Sequence, residues 1–462
     1  MRLSLLLAVL VLAAAVPASA QDWQFANVFP PDTLETDGNG MHGIAVDPEG
    51  KVWMQTFGAT DSVAVAELGG DFFPVRVISV FNADGTPASF SPVRFVDYAD
   101  GTTPRDTLGG FVTRNAANEL IWEGRSGRGL RADSDGNILV SQFTTLFKLD
   151  YETGQGLARV DVPETLTQAG VDNMGNVYLA PVVPGTPIRI YDTDLNFLGN
   201  VSEASSNFSR SITASPDGLT VYETAFENTF TIIHQRADIF SEFDSVGVAF
   251  RGMRTESAAF NPATGNLWVS SGNPLNLPNQ DATVETSWLS NTWYEFSPDD
   301  LETPLDSIRW AGCENYIAGV CQDTPARPRG IAFTTDGTVA YVAAFSADDI
   351  SPGSNAEKFI RMGVAVEPTG TAVPEQVALG QNYPNPFRGS TQIDFDLPET
   401  GHAALRVYDV RGREVAVLVD EVLSARSYSA QFNAEGLASG VYVYVLSLDG
   451  RQLSTNRMML IE

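Results

Sequence analysis

The chain is poor in the residues that build metal centres and covalent catalytic sites. Its 462 residues include two cysteines and three histidines. Cysteine and histidine are the usual zinc ligands, and histidine is the usual base beside a nucleophilic serine or cysteine. The histidines are His42, His234 and His402, so a zinc site or a serine or cysteine hydrolase site has few candidate residues.

Positive charge is also scarce. The chain has 28 lysine and arginine residues against 57 aspartate and glutamate residues, which gives a formal net charge of −29. Only Lys51, Lys148 and Lys358 are lysine. A negative excess of this size repels nucleic acid and anionic membrane surfaces, so the composition argues against a nucleic-acid partner.

Long apolar runs are missing after the N-terminus. The chain begins with one arginine, an apolar run from Leu3 to Ala15 and the small residues Ala18, Ser19 and Ala20. This pattern is typical of a secretory signal peptide, because the run is too short to cross a bilayer as a helix. No later run reaches the roughly 18 apolar residues of a membrane-spanning helix. We therefore expect residues 1–20 to be a signal peptide and the mature protein to have no transmembrane span.

The two cysteines, Cys313 and Cys321, lie close together in GCENYIAGVCQD. In an exported protein such a pair most simply forms a local disulfide. We predict that this disulfide staples one loop and has no redox role.

One phrase returns six times along the chain. The copies are HGIAVDPEGKVWM from His42, RGLRADSDGNILV from Arg128, TQAGVDNMGNVYL from Thr167, RSITASPDGLTVY from Arg210, ESAAFNPATGNLWV from Glu256 and RGIAFTTDGTVAYV from Arg329. Each copy has an alternating apolar run, a polar turn closed by glycine, and a second apolar run. Glycine supplies the positive φ that a tight turn requires, so each copy predicts a β-hairpin. The turn glycines are Gly50, Gly136, Gly175, Gly218, Gly265 and Gly337.

The spacing of the hairpins predicts an all-β fold. Successive turn glycines are separated by 86, 39, 43, 47 and 72 residues. A repeat of about 43 residues that carries a hairpin and two further strands is typical of a β-propeller blade. We predict a propeller over residues 21–366 with six blades, or seven if the 86-residue interval holds another blade around VRFVDYADGTTP.

The same alignment places one residue of each copy where the first strand begins. In a propeller this position lies at one mouth of the central channel. The aligned residues are His42, Arg128, Thr167, Arg210, Glu256 and Arg329. Convergent arginines can donate paired hydrogen bonds to a carboxylate, sulfate or phosphate. We predict an anionic or glycan ligand bound by His42, Arg128, Arg210, Glu256 and Arg329; the alternative is that Glu256 and water satisfy the arginines.

The repeats resemble those of NHL and gluconolactonase-like six-bladed propellers over residues 41–366. The resemblance implies a divalent metal, held by glutamate, asparagine and aspartate, that polarises a lactone carbonyl. The matching candidates are Glu256, Asn207 and Glu223. A cation among arginines is electrostatically unfavourable, so we favour noncatalytic binding without a cofactor. A calcium-dependent lactonase and a structural surface protein remain the alternatives.

The segment from Ser271 to Pro328 interrupts the strand pattern and is rich in tryptophan. Long loops on a rigid scaffold commonly carry recognition, and aromatic rings suit carbohydrate faces and peptide side chains. We expect Trp293 and Phe296 to lie in the core and Trp288 to be the exposed recognition residue.

A second domain follows a proline-containing linker, residues 367–375. Alternating apolar residues and turns at Gly412 and Gly450 predict about seven short strands, a β-sandwich, over residues 376–462. The segments QNYPNPF, VYDVRGREV and GLASGVYVY resemble the type A C-terminal sorting domain of the type IX secretion system, an immunoglobulin-like sandwich related to flagellar hook-capping proteins. The resemblance implies a sorting motif made of Tyr383, Pro384, Asn385, Pro386 and Phe387.

The resemblance also implies a route. A type IX translocon would read residues 376–462, and the protein would pass through the periplasm to the outer-membrane surface or the medium. We expect the mature protein to be a monomer.

Overall fold

The computed structural model describes residues 23–30, 40–226, 229–272, 288–311, 316–317, 320–321, 326–346, 356–361, 366–368, 374, 376–423, 425–434, 437–448 and 450–461. The chain divides into two compact units. Unit 1 comprises Phe25–Thr335 and Val339–Phe359, and unit 2 consists mainly of Ile360–Glu462. The predicted signal peptide and Cys313 lie outside the described residues, so the disulfide with Cys321 stays a prediction. None of the described helical segments has the length and apolar character needed to cross a membrane.

Antiparallel strands make up most of the described part of the chain, which also contains one short 3₁₀ turn at Ala66–Leu68. Strands β1 to β10 are Trp23–Phe29, Met41–Val46, Val52–Thr56, Asp61–Val65, Asp71–Val75, Ile78–Phe81, Phe95–Val96, Asp106–Thr107, Gly110–Arg114 and Leu120–Gly124. Strands β11 to β22 are Gly127–Ala132, Ile138–Gln142, Thr145–Leu149, Gly156–Asp161, Gly170–Val171, Val177–Leu179, Ile188–Tyr191, Phe197–Ser202, Ile212–Ala214, Thr220–Glu223, Thr231–Gln235 and Asp244–Ala249.

The remaining strands complete unit 1 and build unit 2. Strands β23 to β31 are Thr255–Phe260, Leu267–Ser271, Thr292–Ser297, Asp300–Arg309, Tyr316–Ile317, Val320–Cys321, Ala326–Phe333, Val339–Ser346 and Ala356–Arg361. Strands β32 to β39 are Val366–Pro368, Ala378–Leu379, Ser390–Leu397, Gly401–Asp409, Glu414–Leu423, Arg426–Asn433, Gly440–Leu448 and Arg451–Leu460. The all-β class predicted from the sequence is confirmed.

Six sheets of unit 1 each begin with one of the predicted hairpins. Sheet 1 is β2-β3-β6, sheet 2 is β11 to β14, sheet 3 is β15 to β18, sheet 4 is β19 to β22, and sheet 5 is β23 to β26. Sheet 6 is β29-β30-β31 with the N-terminal strand β1 on its edge. The six hairpin pairings are antiparallel. The six turn glycines have φ between 65° and 87°. The predicted hairpins are therefore confirmed.

In three of the six repeats an aspartate at the start of the turn explains why the phrase folds this way. One carboxylate oxygen of Asp47 accepts hydrogen bonds from the backbone N–H groups of Glu49 and Lys51, and the other accepts from Trp53 Nε1 at 2.9 Å. Asp172 holds its own turn in the same way and accepts from the Tyr178 hydroxyl at 2.9 Å. The aspartate thus ties the turn to the aromatic residue of the second strand.

The 86-residue interval between the first two turn glycines is filled by hairpins. Residues 57–126 are described throughout, and they contain the two-stranded sheets β4-β5, β7-β8 and β9-β10 beside β6. This segment forms no four-stranded sheet, so the interval does not supply a seventh sheet of the repeated kind.

The core of unit 1 lies between neighbouring sheets. Fully buried Trp53 of sheet 1 packs in one apolar cluster with Leu130 and Val140 of sheet 2. Trp268 of sheet 5 lies against Phe333 of sheet 6, with ring centroids 5.7 Å apart. The alternating apolar residues of each hairpin therefore bury both faces of a sheet against its two neighbours.

The first strands of the six sheets contact one another in chain order. Strand β2 contacts β11, β11 contacts β15, β15 contacts β19, β19 contacts β23, β23 contacts β29, and β29 contacts β2. At the end where these strands enter their turns, all six sheets line one cavity of about 670 Å³. One lining residue from each sheet is Val46, Asp135, Asn173, Pro216, Gly265 and Thr335. We call this space the turn-end cavity, and we call the opposite end of the first strands the entry end.

Unit 2 contains two four-stranded antiparallel sheets around one core. The sheets are β32-β37-β34-β33 and β36-β35-β38-β39. The alternating residues Ile393, Phe395 and Leu397 are almost fully buried in this core. Seven of the eight strands lie between residues 376 and 461, which matches the number predicted from the sequence.

Candidate functional site

A β-bulge recurs at the entry end, at several of the aligned residues. Met41 and Gly43 pair with the consecutive residues Thr56 and Gln55, so His42 is an extra residue in β2. Such a β-bulge turns the extra side chain out of the regular alternation. The same register shift occurs at Arg128 in β11 and at Arg329 in β29, and a shift that spans Glu256 and Ser257 occurs in β23.

The structure brings the five predicted ligand-binding residues into one cluster. Burial lowers the pKa of His42 well below its usual value, and the positive charges of Arg329, Arg128 and Arg210 lower that pKa further. Glu256 lies at the same place, since its Oε2 is 2.7 Å from Nη1 of Arg329. We call these five residues the arginine cluster. Thr167, the sixth aligned residue, is buried, and its hydroxyl donates to the carbonyl of Gln168.

Phenylalanine rings support the arginines, and sequence reasoning missed them. The Cζ atom of Arg128 lies 5.5 Å from the ring centroid of Phe57 and 5.7 Å from that of Phe143. Arg210 lies 4.1 Å from Phe226 and Arg329 lies 5.5 Å from Phe345. The signal was present, because these four rings occupy the same position at the end of the second strand of their repeats.

Positive charge in the arginine cluster exceeds negative charge. Burial lowers the pKa of Arg329 to about 9; Glu256 opposes this shift, while Arg210 and Arg327 add to it. Burial and the charge of Arg329 lower the pKa of Arg128 to about 10. A depressed arginine pKa means that the charged form is poorly solvated and poorly paired. An anion would therefore be attracted to this end of the strands.

Several donors of the cluster lack acceptors among the described residues. Arg329 is 3% exposed, yet its Nε and Nη1 atoms make no hydrogen bond. The Nε of Arg128 and the Nδ1 of His42 are buried and make none either. Arg329 and Glu256 form an ion pair, but the angles of this contact are not those of a hydrogen bond. Buried donors are normally satisfied, so these atoms are open to an acceptor that is not among the described residues.

The carboxylates suggested as metal ligands already have partners. Glu256 pairs with Arg329, as described above. Glu223 accepts from the backbone N–H groups of Ser206 and Asn207 at 2.8 and 3.0 Å, and its other oxygen lies 3.1 Å from His234 Nε2. The described residues contain no group of three histidine, cysteine, aspartate or glutamate side chains placed to hold a metal ion. These residues therefore do not fit the catalytic metal that the resemblance implies.

The expectation of an exposed Trp288 is wrong. Its side chain is 8% exposed and packs against Tyr294 and Phe296, with ring centroids 5.0 and 5.8 Å apart. Its Nε1 atom donates to the carbonyl of Arg251 at 3.0 Å. Trp293 and Phe296 are fully buried, as predicted. Trp288 is a core residue because the strand that follows it, β25, supplies an aromatic surface that covers its ring.

The predicted sorting motif of unit 2 joins the last strand. The peptide bonds before Pro384 and Pro386 are cis, and Tyr383 is 82% exposed. Phe387 is buried against Phe432, and its backbone N–H donates to the carbonyl of Met459. The side-chain oxygen of Asn385 accepts from the N–H of Met459 at 3.0 Å. The motif and strand β39 are therefore one structural element.

Comparison with known families decides the role of this unit. A family described as "Secretion system C-terminal sorting domain" matches residues 381–462. Unit 2 carries a type IX secretion sorting domain. The sorting domain interacts with the type IX system, and the protein is delivered by it to the cell surface or the extracellular space.

The other comparisons say little about unit 1. No curated protein matches the chain in sequence. Among solved structures, a chain of "Crystal Structure of Mitotic Checkpoint Complex" is similar at 12% identity with a TM-score of 0.42, covering 73% of this chain and 93% of that one. This likeness is too distant to assign a fold or a function.

Proposed function

We propose that unit 1 is a six-bladed β-propeller of the NHL and gluconolactonase-like type, and that it is a noncatalytic binding module for an anionic ligand outside the cell. The ligand binds at the entry end, on the arginine cluster. The observation that carries the proposal is the group of buried arginine donors without acceptors among the described residues, in a protein whose net charge is strongly negative.

Three features support the propeller. The first strands contact one another in chain order, and the last of them contacts the first. All six sheets line the turn-end cavity, as expected if they surround one axis. The N-terminal strand β1 joins the sheet that ends unit 1, and this pairing closes a propeller in sequence as well as in space.

The chemistry of the arginine cluster selects the ligand class. A planar guanidinium offers two parallel N–H donors, which match the oxygen pairs of carboxylate, sulfate and phosphate. The phenylalanine rings hold the guanidinium planes and keep water from their faces. An anionic glycan or a small oxyanion would supply the missing acceptors. A metal-dependent lactonase is disfavoured, because Glu256 and Glu223 are already paired.

Unit 2 completes the proposal. We infer that its two sheets form an immunoglobulin-like sandwich, which hands the protein to the type IX translocon. The mature protein acts as a monomer, because the arginine cluster is assembled from residues of one chain.

Calorimetric titration of the full mature chain tests the proposal. The probes are inorganic sulfate, inorganic phosphate and a sulfated oligosaccharide, with the desulfated oligosaccharide as the neutral comparison. Saturable binding of at least one anion is expected, and Arg329→Met should weaken it by about tenfold or more, because charge-assisted hydrogen bonds contribute about 1.5–3 kcal/mol each.

Arg189→Met is the matched control. Arg189 pairs with Glu164 at 2.7 Å on sheet 3, outside the cluster, so its replacement should leave anion binding unchanged. Equal binding of the desulfated oligosaccharide, or equal losses in the two variants, would contradict the proposal. A shift of the unfolding midpoint by calcium that a chelator abolishes would favour the hydrolase instead.

A further inference from the structure

Among the described residues, a single arginine lines the turn-end cavity, and it is not part of the arginine cluster. In each first strand one residue lies two positions before the residue that opens the turn. Five strands carry a small residue there: Ala45, Gly170, Thr213, Ala259 and Ala332. The sixth strand, β11, carries Arg131, which lines the cavity. The small residues leave the space into which this side chain extends.

Arg131 reaches from sheet 2 towards sheet 5. Its Nη2 donates to the carbonyl of Ala258 at 2.7 Å, and its Nε donates to the carbonyl of Ala169 at 3.3 Å. The first strands of the six sheets contact one another in a closed order, and in this order the first strand of sheet 5 is the third after that of sheet 2. The side chain of Arg131 therefore crosses the space that the six first strands surround. The guanidinium therefore forms the floor of the turn-end cavity.

The charge of Arg131 has no partner among the described residues. Both of its hydrogen bonds go to neutral carbonyl groups, and no described carboxylate forms an ion pair with it. Its Nη1 atom makes no hydrogen bond to a described residue. Burial alone lowers the pKa of this guanidinium to about 10. A buried arginine is normally paired, because an isolated charge is costly in a medium of low dielectric constant.

The walls of the cavity are apolar along the strands and polar at the turns. They include Ile44, Val171, Ala214, Ile331 and Phe333, and hydroxyl or amide groups such as those of Thr335 and Asn173 lie among the turns. A volume of about 670 Å³ falls in the range of roughly 300–1,000 Å³ that small-molecule sites occupy. One cation at the bottom of a space with apolar strand walls and a polar rim of turns suits an amphipathic monoanion better than a polyanion.

We propose that the turn-end cavity is a second binding site, which takes a small organic carboxylate with an apolar body. The carboxylate accepts hydrogen bonds from Arg131, and the apolar body lies against the alanine and isoleucine side chains above it. Asp133, Asp135 and Asp172 at the turns carry negative charge, which disfavours sulfated or phosphorylated polyanions here. This site is distinct from the arginine cluster, which lies at the other end of the same strands.

Calorimetric titration of the full mature chain with hexanoate and with benzoate tests this site. Hexan-1-ol and benzyl alcohol are the uncharged comparisons. Saturable binding of at least one carboxylate is expected, at least tenfold tighter than that of its alcohol. Arg131→Met should weaken carboxylate binding at least tenfold, and Arg131→Lys should retain part of it, because lysine keeps the charge and loses the bidentate geometry.

A second variant covers the case in which Arg131→Met does not fold. Ser134 is exposed in the turn that borders the cavity, so Ser134→Trp should narrow the opening and weaken carboxylate binding without disturbing the core. Equal affinity of the wild type and either variant for the carboxylate, or no saturable binding of hexanoate and benzoate, would overturn the proposal. Sulfate titration of the same samples separates the two sites: sulfate binding should be unchanged in Arg131→Met, whatever the carboxylates do.

Discussion

Buried and half-buried arginines are the unusual residues of this protein. Arg329 is 3% exposed, and Arg128 and Arg131 have depressed pKa values of about 10, although the chain as a whole carries a charge of −29. A charge that is removed from water without full pairing is costly. Natural proteins retain such costly groups mainly where function needs them. Replacing one of these arginines should therefore raise the stability of the fold and weaken ligand binding.

Arg128→Met provides that test at the level of one residue. Methionine can keep the packing between Phe57 and Phe143, while the cost of a buried charge disappears. We expect the free energy of unfolding to rise by about 1 kcal/mol and anion binding to fall. Urea denaturation and calorimetry measure the two effects. Arg189→Met, which leaves Glu164 unpaired, should show no gain in stability; a loss of stability in Arg128→Met would contradict the proposed excess of charge.

The lowered pKa of His42 predicts how the stability of the protein depends on pH. Its folded pKa is well below 6.5, so the unfolded chain binds a proton near that pH and the folded chain does not. The stability that the neutral ring contributes is present above pH 6.5 and is lost as the pH falls towards the folded pKa, by at most about 1.4 kcal/mol per pH unit. Thermal unfolding between pH 7 and pH 5 should show this slope in the wild type. His42→Gln should reduce it; an unchanged slope in this variant would contradict the role of His42.

The hairpin turn is the element that the sequence predicted best. A polar residue that opens the turn, which is an aspartate in three of the six repeats, and a glycine determine the turn through local hydrogen bonds and one positive φ, so no distant part of the chain is needed. The bulge at the other end of the first strand was not predicted. It depends on pairing between residues that are distant in sequence, and an alignment that assumes equal strand lengths cannot reveal an extra residue.

Two turn glycines offer a matched pair of substitutions. Gly50 has φ of 80°, and a Cβ added there would meet no atom within 4 Å, so Gly50→Ala should cost only the strain of the left-handed backbone, about 1 kcal/mol. Gly136 has φ of 87°, and a Cβ there would lie 2.2 Å from the Pro48 ring. Gly136→Ala should therefore cost at least about 1 kcal/mol more than Gly50→Ala, as measured by urea denaturation. Equal losses would mean that the turns of sheets 1 and 2 do not pack as described.

At the scale of the whole molecule, the N-terminal strand completes the last sheet of unit 1. Strand β1 pairs with β31, although the two are more than 300 residues apart in the chain. Phe29 at the end of β1 is 1% exposed and packs against Tyr341 and Phe81, with ring centroids 5.0 and 6.1 Å apart. The structure therefore links both ends of unit 1 into one cooperative body.

Two phenylalanines on β1 test this closure. Phe29→Ala should destabilise unit 1 by about 3–5 kcal/mol, because it leaves a cavity among buried aromatic rings. Phe25 is on the same strand and is 44% exposed, so Phe25→Ala should change stability by no more than about 1 kcal/mol. Calorimetric scans of both variants measure the difference. Equal effects of the two substitutions would show that β1 does not close the sheet.

The secretion route of the protein and its strand content are determined by short local segments of the sequence. The sorting domain is recognisable because its motif residues are contiguous, and the hairpins are recognisable because turn chemistry and period-two alternation act over a few residues. The partners of each side chain were decided only by the tertiary structure. Packing buried Trp288, placed four phenylalanine rings beneath the arginines, and extended Arg131 from sheet 2 to sheet 5. These outcomes depend on which distant strands meet, because burial and charge pairing are properties of neighbours in space and not of neighbours in the chain.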